Sequence, residues 1–596
     1  MKKHLLFLLF ILFSFASYLE AQTLLPISEG INSSGSNAGF VIKLRDHVYL
    51  FRAMSSSYGY EPYVTDGTQA GTFLLKDINA GNESSYSNWF YRISDTLCLF
   101  YANDGNANHG NELWRSNGTT AGTYMVTDLT PGAPSSSIWF SDMYLDNKTF
   151  FTTHDSNWIG SLYVTDGSTL GTTQILTGFN AANPQSGNVI AVANGIAYFY
   201  VTVGPYSDLH LWRTDGTVIG TYELTDLNVT PGNQTFGATL GNDYLFSARD
   251  SVTGQELWKT DGTIIGTALL KDLNPGMASS YADIPHLLGN KIIFLANPNN
   301  TTTALWVTDG TPSGTYPLGD STIFPSLSLC WIVGRADSNI YFGISDYYSS
   351  TMWKTDGTIP GTVQVHTFPC NNCGFGSGTN ADTLAEAYGL KFFVFGEAQY
   401  IGALGSIWAT DGTDAGTYQV YADPDIEDQP INQLTGVCGK VFCEMKTGYD
   451  GEHDHLWRIV QDSAYDLNLF SNYWELYWIY FVDDGSIFFS ATDSVGLELY
   501  QLQVCPVTTV QNFSSSDSLL LFPNPGDGLL TVKVPGKLTG AEVRVNDMMG
   551  KYVYSGKAEF STDGKLNLHL KNIPAGMYSL QIISNGKVLQ QIFIKQ

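Results

Sequence analysis

His453-Asp454-His455 is the only compact set of transition-metal ligand types in the chain. On a strand His453 and His455 would share one face, with Asp454 on the other. Two imidazoles and a carboxylate still fall short of the four ligands that close a structural zinc site. The other reading of the run 450–455 is a solvated acidic loop. Seven cysteines bring disulfide chemistry into range if the chain is exported. Cys370 and Cys373 are spaced to close a small loop, and Cys438 and Cys443 flank Gly439-Lys440 as if to pair across a hairpin. No strand–helix–strand pattern surrounds the Cys370/Cys373 pair, so a thioredoxin-type redox role is not expected. No catalytic set emerges: there is no Gly-x-Ser-x-Gly elbow, His-Glu-x-x-His helix or phosphate-cradling glycine loop. Carboxylates are so numerous that a glycosidase pair drawn among them would mean nothing.

Two residue types recur at regular spacing. One is an acid in an Asp-Gly turn: Asp66, Asp166, Asp215, Asp261, Asp309, Asp356 and Asp411, with Asn117 in the second place. A ring of such carboxylates suggests calcium as a cofactor. Each turn offers only one carboxylate, however, whereas calcium takes six to eight oxygens. The reading favoured here is that each Asp accepts hydrogen bonds from its own turn, which Asn117 does equally well, and that no cofactor is needed. The other recurring residue is an aromatic: Trp114, Trp212, Trp258, Trp306, Trp353, Trp408 and Trp457, with Tyr63 and Tyr163 in the same place. An exposed ladder of these would stack sugars. Because the position repeats in every unit, one core aromatic per unit is expected instead.

The elements that must hold these residues follow from the repeat. Glu256-Leu-Trp-Lys-Thr-Asp-Gly-Thr-Ile-Ile-Gly-Thr267 recurs at 61–72, 112–123, 161–172, 210–221, 304–315, 351–362 and 406–417. Worn copies follow at His455-Leu-Trp457 and Glu498-Leu-Tyr500. The turn acids are 46 to 55 residues apart, giving about ten units between residues 22 and 505. Within one unit, 235–240, 244–248, 257–260 and 267–271 read as strands, parted by Asp-Gly and Asn-Pro-Gly turns. Four strands in about 48 residues is the arithmetic of a propeller blade. The motif resembles the ELWxxDGT repeat family of exported Bacteroidota proteins, over roughly 40–505. The expected fold is all-β: a β-propeller of about ten repeats, closed as one ring or two, followed by a small Ig-like β-sandwich.

Bulk properties narrow the setting. A net charge of −27 opposes nucleic acid and anionic membrane surfaces as partners. Charge is uneven: from residue 519 onward nine Lys/Arg face five Asp/Glu, a balance of +4 that leaves −31 for the remainder. The change of sign marks a domain boundary. Lys2 and Lys3, an apolar run at 5–15 and small Ala21 before Gln22 read as a signal peptide over 1–21, with no further span able to cross a bilayer as a helix. Residues 506–518 read as a linker. The tail from 519 alternates strand-like segments with turns.

That tail resembles the type A C-terminal sorting domain of the type IX secretion system, through Phe522-Pro523-Asn524-Pro525, Asp547-Met-Met-Gly550-Lys551 and Pro574-Ala-Gly576-Met-Tyr578. The resemblance implies passage across the inner membrane by the signal peptide. It further implies recognition of the folded tail by the secretion machinery at the outer membrane, leaving the protein secreted or on the outer surface. The expected function is a non-enzymatic binding or adhesion scaffold for an extracellular ligand, polysaccharide or protein. Two rivals stand beside it: a secreted polysaccharide hydrolase or lyase with its site at the ring's centre, and a structural surface-layer component.

Overall fold

The computed structural model describes residues 24–504 and 520–595, less stretches within them, the longest being 230–236, 320–328, 377–383, 398–405, 423–430, 468–475 and 534–540. The signal peptide and linker expectations lie outside the described residues. The chain divides into two compact units, Met1–Cys505 and Pro506–Gln596. Every described element longer than a turn is a strand.

The first unit is a succession of antiparallel meanders. Sheet 5 shows the pattern: Ala238–Leu240, Asp243–Asp250, Gly254–Thr260 and Ala268–Lys271, each paired with the next. These are the four strands expected for that unit. The first strands of sheets 1 to 4 are Gly39–Arg45, Asn88–Ser94, Trp139–Leu145 and Val189–Ala193; those of sheets 6 and 7 are Asp283–Leu288 and Leu329–Ala336. Sheet 8 runs from Ala385–Ala387 to Thr417–Ala422, with Cys373–Gly376 also pairing its second strand. Sheet 9 holds Ile431–Val437, Lys440–Thr447, His453–Val460 and Ser463–Asp466. It is joined to sheet 10 by a single pair, Asp454 with Leu476.

Sheet 10 is built differently. Leu476–Phe481, Ser486–Thr492 and Leu497–Gln503 supply three strands. The fourth is Leu24–Pro26 from the start of the chain, with Leu24 opposite Leu502 and Pro26 opposite Tyr500. Proline fits there because an edge strand has no need of its missing N–H.

Alternate residues of each second strand face opposite neighbours, as the pleat requires. In sheet 1 Leu50 packs toward sheet 2 with Cys98, while Phe51 packs toward sheet 10 with Phe488. The same alternation joins sheets 2 and 3 through Leu99 and Phe151, and sheets 3 and 4 through Phe150 and Phe199. Sheets 4 and 5 meet through Tyr198 and Tyr244, and sheets 5, 6 and 7 through Leu245, Phe294 and Phe342. Tyr341 and Phe393, Phe392 and Val441, and Phe442 and Phe489 complete the circuit from sheet 7 to sheet 10. Each sheet therefore packs on the next and the tenth on the first, a propeller-like arrangement. First strands of consecutive sheets lie against one another, such as Gly39–Arg45 beside Asn88–Ser94, which puts them on the inside.

In the second unit Leu520–Phe522, Leu529–Lys533 and Lys565–His569 form one sheet. Tyr552–Lys557, Glu542–Asp547, Gly576–Ser584 and Lys587–Lys595 form the other. Leu530, Val532 and Leu568 of the first share a core with Val543, Val545, Tyr578 and Leu580 of the second.

Candidate functional site

The repeated acids lie on turns between the third and fourth strands, one to each of sheets 1 to 8, with Asn117 in the place of the acid in sheet 2. In sheet 5 the Thr263 N–H and hydroxyl both donate to Asp261 Oδ1, at 2.9 and 2.7 Å. The Gly266 N–H donates to Thr263 Oγ1 at 2.9 Å, and the Gly262 N–H to Thr260 Oγ1 at 3.0 Å. The Thr263 hydroxyl and N–H hold the Asp261 carboxyl below the usual range. The same bonds recur around Asp66, Asp166, Asp215, Asp309, Asp356 and Asp411, and around Asn117 through its amide oxygen. Both glycines are forced. Gly262 has φ +86°, and a Cβ on Gly266 would sit 2.0 Å from Asp261 Oδ1. The carboxylates stand on separate sheets, one to a turn.

A cation from the preceding sheet caps many of these turns. Arg45 donates to the Asn117 carbonyl, and Arg115 to that of Gly167. Arg213 donates to Gly262, Lys259 to Gly310, Lys291 to Gly357 and Lys354 to Gly412. These scarce cations serve as ties between sheets.

The repeated tryptophans face the inter-sheet cores. Six of the seven stand opposite an aromatic of the second strand: Phe100 with Trp114, Phe199 with Trp212, Phe246 with Trp258, Phe294 with Trp306, Phe342 with Trp353 and Phe393 with Trp408. Trp114 and Trp306 are buried, and Trp212, Trp258, Trp353, Trp408 and Trp457 half-buried. Opposite Trp457 stands Cys443, a free and buried thiol, whereas Cys438 is disulfide-bonded. The expected Cys438–Cys443 pairing is therefore corrected. Cys438 lies in the hairpin turn at φ +52°, while Cys443 points into the core between sheets 8 and 9, where burial pushes its thiol up. Cys373 is also disulfide-bonded.

The run read as a possible loop around His453 is strand His453–Val460, with Thr447 opposite His453 and Met445 opposite His455. His455 Nδ1 lies 2.8 Å from Asp466 Oδ2 on the adjacent strand. The side chains of His453 and Asp454 lie outside the described residues. Among the described residues no three His, Cys, Asp or Glu side chains gather in metal-binding geometry.

A repeated residue missed above is the glutamate that opens the motif. Glu61 is fully buried and accepts from the N–H groups of Ile78, Asn79 and Ser85, at 3.0, 3.2 and 3.0 Å. Glu256 does the same for Leu273 and Ser280, and Glu112 for Leu129. Each carboxylate thus pins the crossover to the next sheet. Burial pushes Glu61 and Glu256 up to about 7. The signal was present: Glu61, Glu112 and Glu256 each stand sixteen residues before an Asp-x-x-x-Gly run. Glu498 in sheet 10 has no crossover to pin. It accepts instead from the Ser28 hydroxyl, the Ser36 N–H at 3.2 Å and the Ser36 hydroxyl at 2.6 Å. The segment after Leu24–Pro26 occupies the place of a crossover from sheet 10 to sheet 1.

Of the sorting-motif residues, Tyr578 is buried opposite Asp547, and Gly576 opens its strand opposite Lys595. Pro523, Asn524, Pro525, Gly550 and Lys551 lie outside the described residues.

Residues 520–596 match the family model of the secretion system C-terminal sorting domain, which marks a protein sent to the cell surface or beyond the cell. None of the curated proteins compared matches the chain. Among solved structures, PorZ, a bacterial surface component of the type-IX secretion system of Porphyromonas gingivalis, aligns at 10% identity and TM-score 0.29, over 95% of this chain and 82% of its own. Puromycin hydrolase aligns at 13% identity and TM-score 0.30, over 59% of this chain and 57% of its own. A prolyl endopeptidase aligns at 9% identity and TM-score 0.29, over 62% and 56%. The chain thus spans a little over half of each hydrolase.

Proposed function

We propose that this chain is a cargo of the type IX secretion system, carried to the outer surface or released, and that its first unit acts there as a binding scaffold. The observation that supports the reading is the sorting-domain match over 520–596, on a two-sheet unit with its own core. In this reading the tail is an Ig-like sandwich. Pro523, Asn524, Pro525, Gly550 and Lys551 meet the secretion machinery, while Gly576 and Tyr578 set the sheet that presents them. The first unit is a single ten-bladed propeller of ELWxxDGT repeats. Its repeated acids and tryptophans are structural, spent on turns and cores, so ligand recognition falls to residues outside the motif.

Deleting 520–596 while keeping the rest of the chain tests the export half of the proposal. The truncated protein is expected in the periplasm, folded, with surface and medium fractions depleted at least tenfold. Undiminished arrival at the surface would sink the reading. Protease resistance of the retained ring separates loss of sorting from loss of folding.

A further inference from the structure

In each meander the first strand begins, the second ends and the third begins on one face, the face that carries the crossovers. On that face sheets 1 to 3 carry an aromatic group that the repeat does not require. Trp89, just inside the first strand of sheet 2, and Trp139, which opens that of sheet 3, are 57% and 58% exposed. Their rings lie side by side, centroids 6.3 Å apart and inclined by 40°. Tyr86, 59% exposed, stacks on Tyr60 at 6.3 Å. The Arg52 guanidinium is held over both Phe40 and Tyr60, at 4.7 and 5.0 Å from their centroids. Its Nε is buried and has no hydrogen-bond partner, and no described carboxylate pairs with it. Sheets 4, 5 and 6 open their first strands with Val189, Ala238 and Asp283, so the paired indoles end at sheet 3, although Tyr281, 56% exposed, stands before sheet 6 as Tyr86 stands before sheet 2.

The backbone is strained where the group is displayed. Phe40 and Trp89 have φ of +57° and +53°, on bulges where the pairing register slips. Bulky side chains rarely adopt that region, and such strain gathers at binding sites. Solvent-facing indoles also run against the usual economy of a soluble surface. The buried tryptophans of the motif need neither device.

Resting on the scaffold reading, we propose that Trp89 and Trp139, with Arg52 between Phe40 and Tyr60, form a binding platform for a neutral polysaccharide. A pyranose ring has an apolar C–H face for stacking on an indole and a rim of hydroxyls for a guanidinium. Two indoles set side by side suit successive rings of one glycan chain. The net charge of −27 disfavours a polyanion. A protein partner of ordinary interface size would cover about 800 Å² on each side, far more than two indoles offer.

The test is affinity electrophoresis of the mature full chain through gels cast with a β-glucan, a mannan or a galactan, and with polygalacturonate as the anionic probe. Retardation by at least one neutral polymer is expected, and none by polygalacturonate. W89A and W139A should each weaken binding about tenfold, W89F should retain most of it, and R52Q should weaken it without changing the melting temperature by more than a few degrees. Failure of all three neutral polymers, retardation unaffected by the double variant W89A/W139A, or binding to polygalacturonate alone would overturn the assignment. Binding of the labelled mature chain to whole cells of the producer is measured in parallel. Cell binding without neutral-glycan retardation overturns the platform alone, whereas absence of both overturns the scaffold reading as well.

Discussion

Removing residues 24–36 from the mature chain is expected to open the ring. The deletion takes away the outer strand of sheet 10, the buried Ile27, and both serines that satisfy Glu498. Taking these donors from a buried carboxyl group costs about 1–3 kcal/mol before any loss of apolar packing is counted. Sheets 10 and 1, which share Phe488, Tyr49 and Phe51 in one core, should then part first. Limited proteolysis should cut within 476–503 and 39–74, and the thermal transition should broaden and fall. The milder S28A/S36A pair, which leaves the strand in place, should show the same cleavage sites at lower rate. An unchanged melting curve for the deletion would mean that the ring does not depend on its N-terminal strand.

The buried glutamates give the ring a pH dependence of unusual sign. Burial lifts Glu61 and Glu256 to about 7, above the 4.5 of an ordinary glutamate. Between those two values the folded chain holds protons that the unfolded chain has lost. Stability therefore falls as pH rises from about 4.5 to about 7, and is flat above that for these groups. The full effect is on the order of 3 kcal/mol for each. The double variant E61Q/E256Q cannot titrate at these positions and should flatten the slope of melting temperature between pH 5 and 7.5. It should also lose some stability at every pH, because one Gln atom is a donor facing backbone N–H groups. Equal slopes in variant and parent would show that both carboxylates are ionised throughout.

The repeat was legible because its turns are written in residues that only turns need. Asp261, Gly262 and Gly266 state a reversal, and the strands on either side follow from alternation. The tryptophans belong to cores for the same reason, and all but Trp457, which faces Cys443, have an aromatic partner on the second strand. Ring closure was not legible. Leu24–Pro26 carries no copy of the motif, and its partner strand lies more than 470 residues away. A three-residue edge strand leaves almost no pattern in sequence. The glutamates escaped notice because four sheets use them while Ser161, His210, Ala304, Thr351, Ser406 and His455 fill the same place elsewhere. Trp89 and Trp139 sit outside the repeated sentence, so nothing in the spacing sets them apart from core aromatics. Only their exposure does.

The most direct test of the account is fractionation of the producing organism with and without a working type IX secretion system, following the full chain by antibody. The account predicts that disabling the system moves the intact protein, tail included, from surface and medium into the periplasm. If its distribution is the same in both strains, the tail is not an export signal and the proposed function fails.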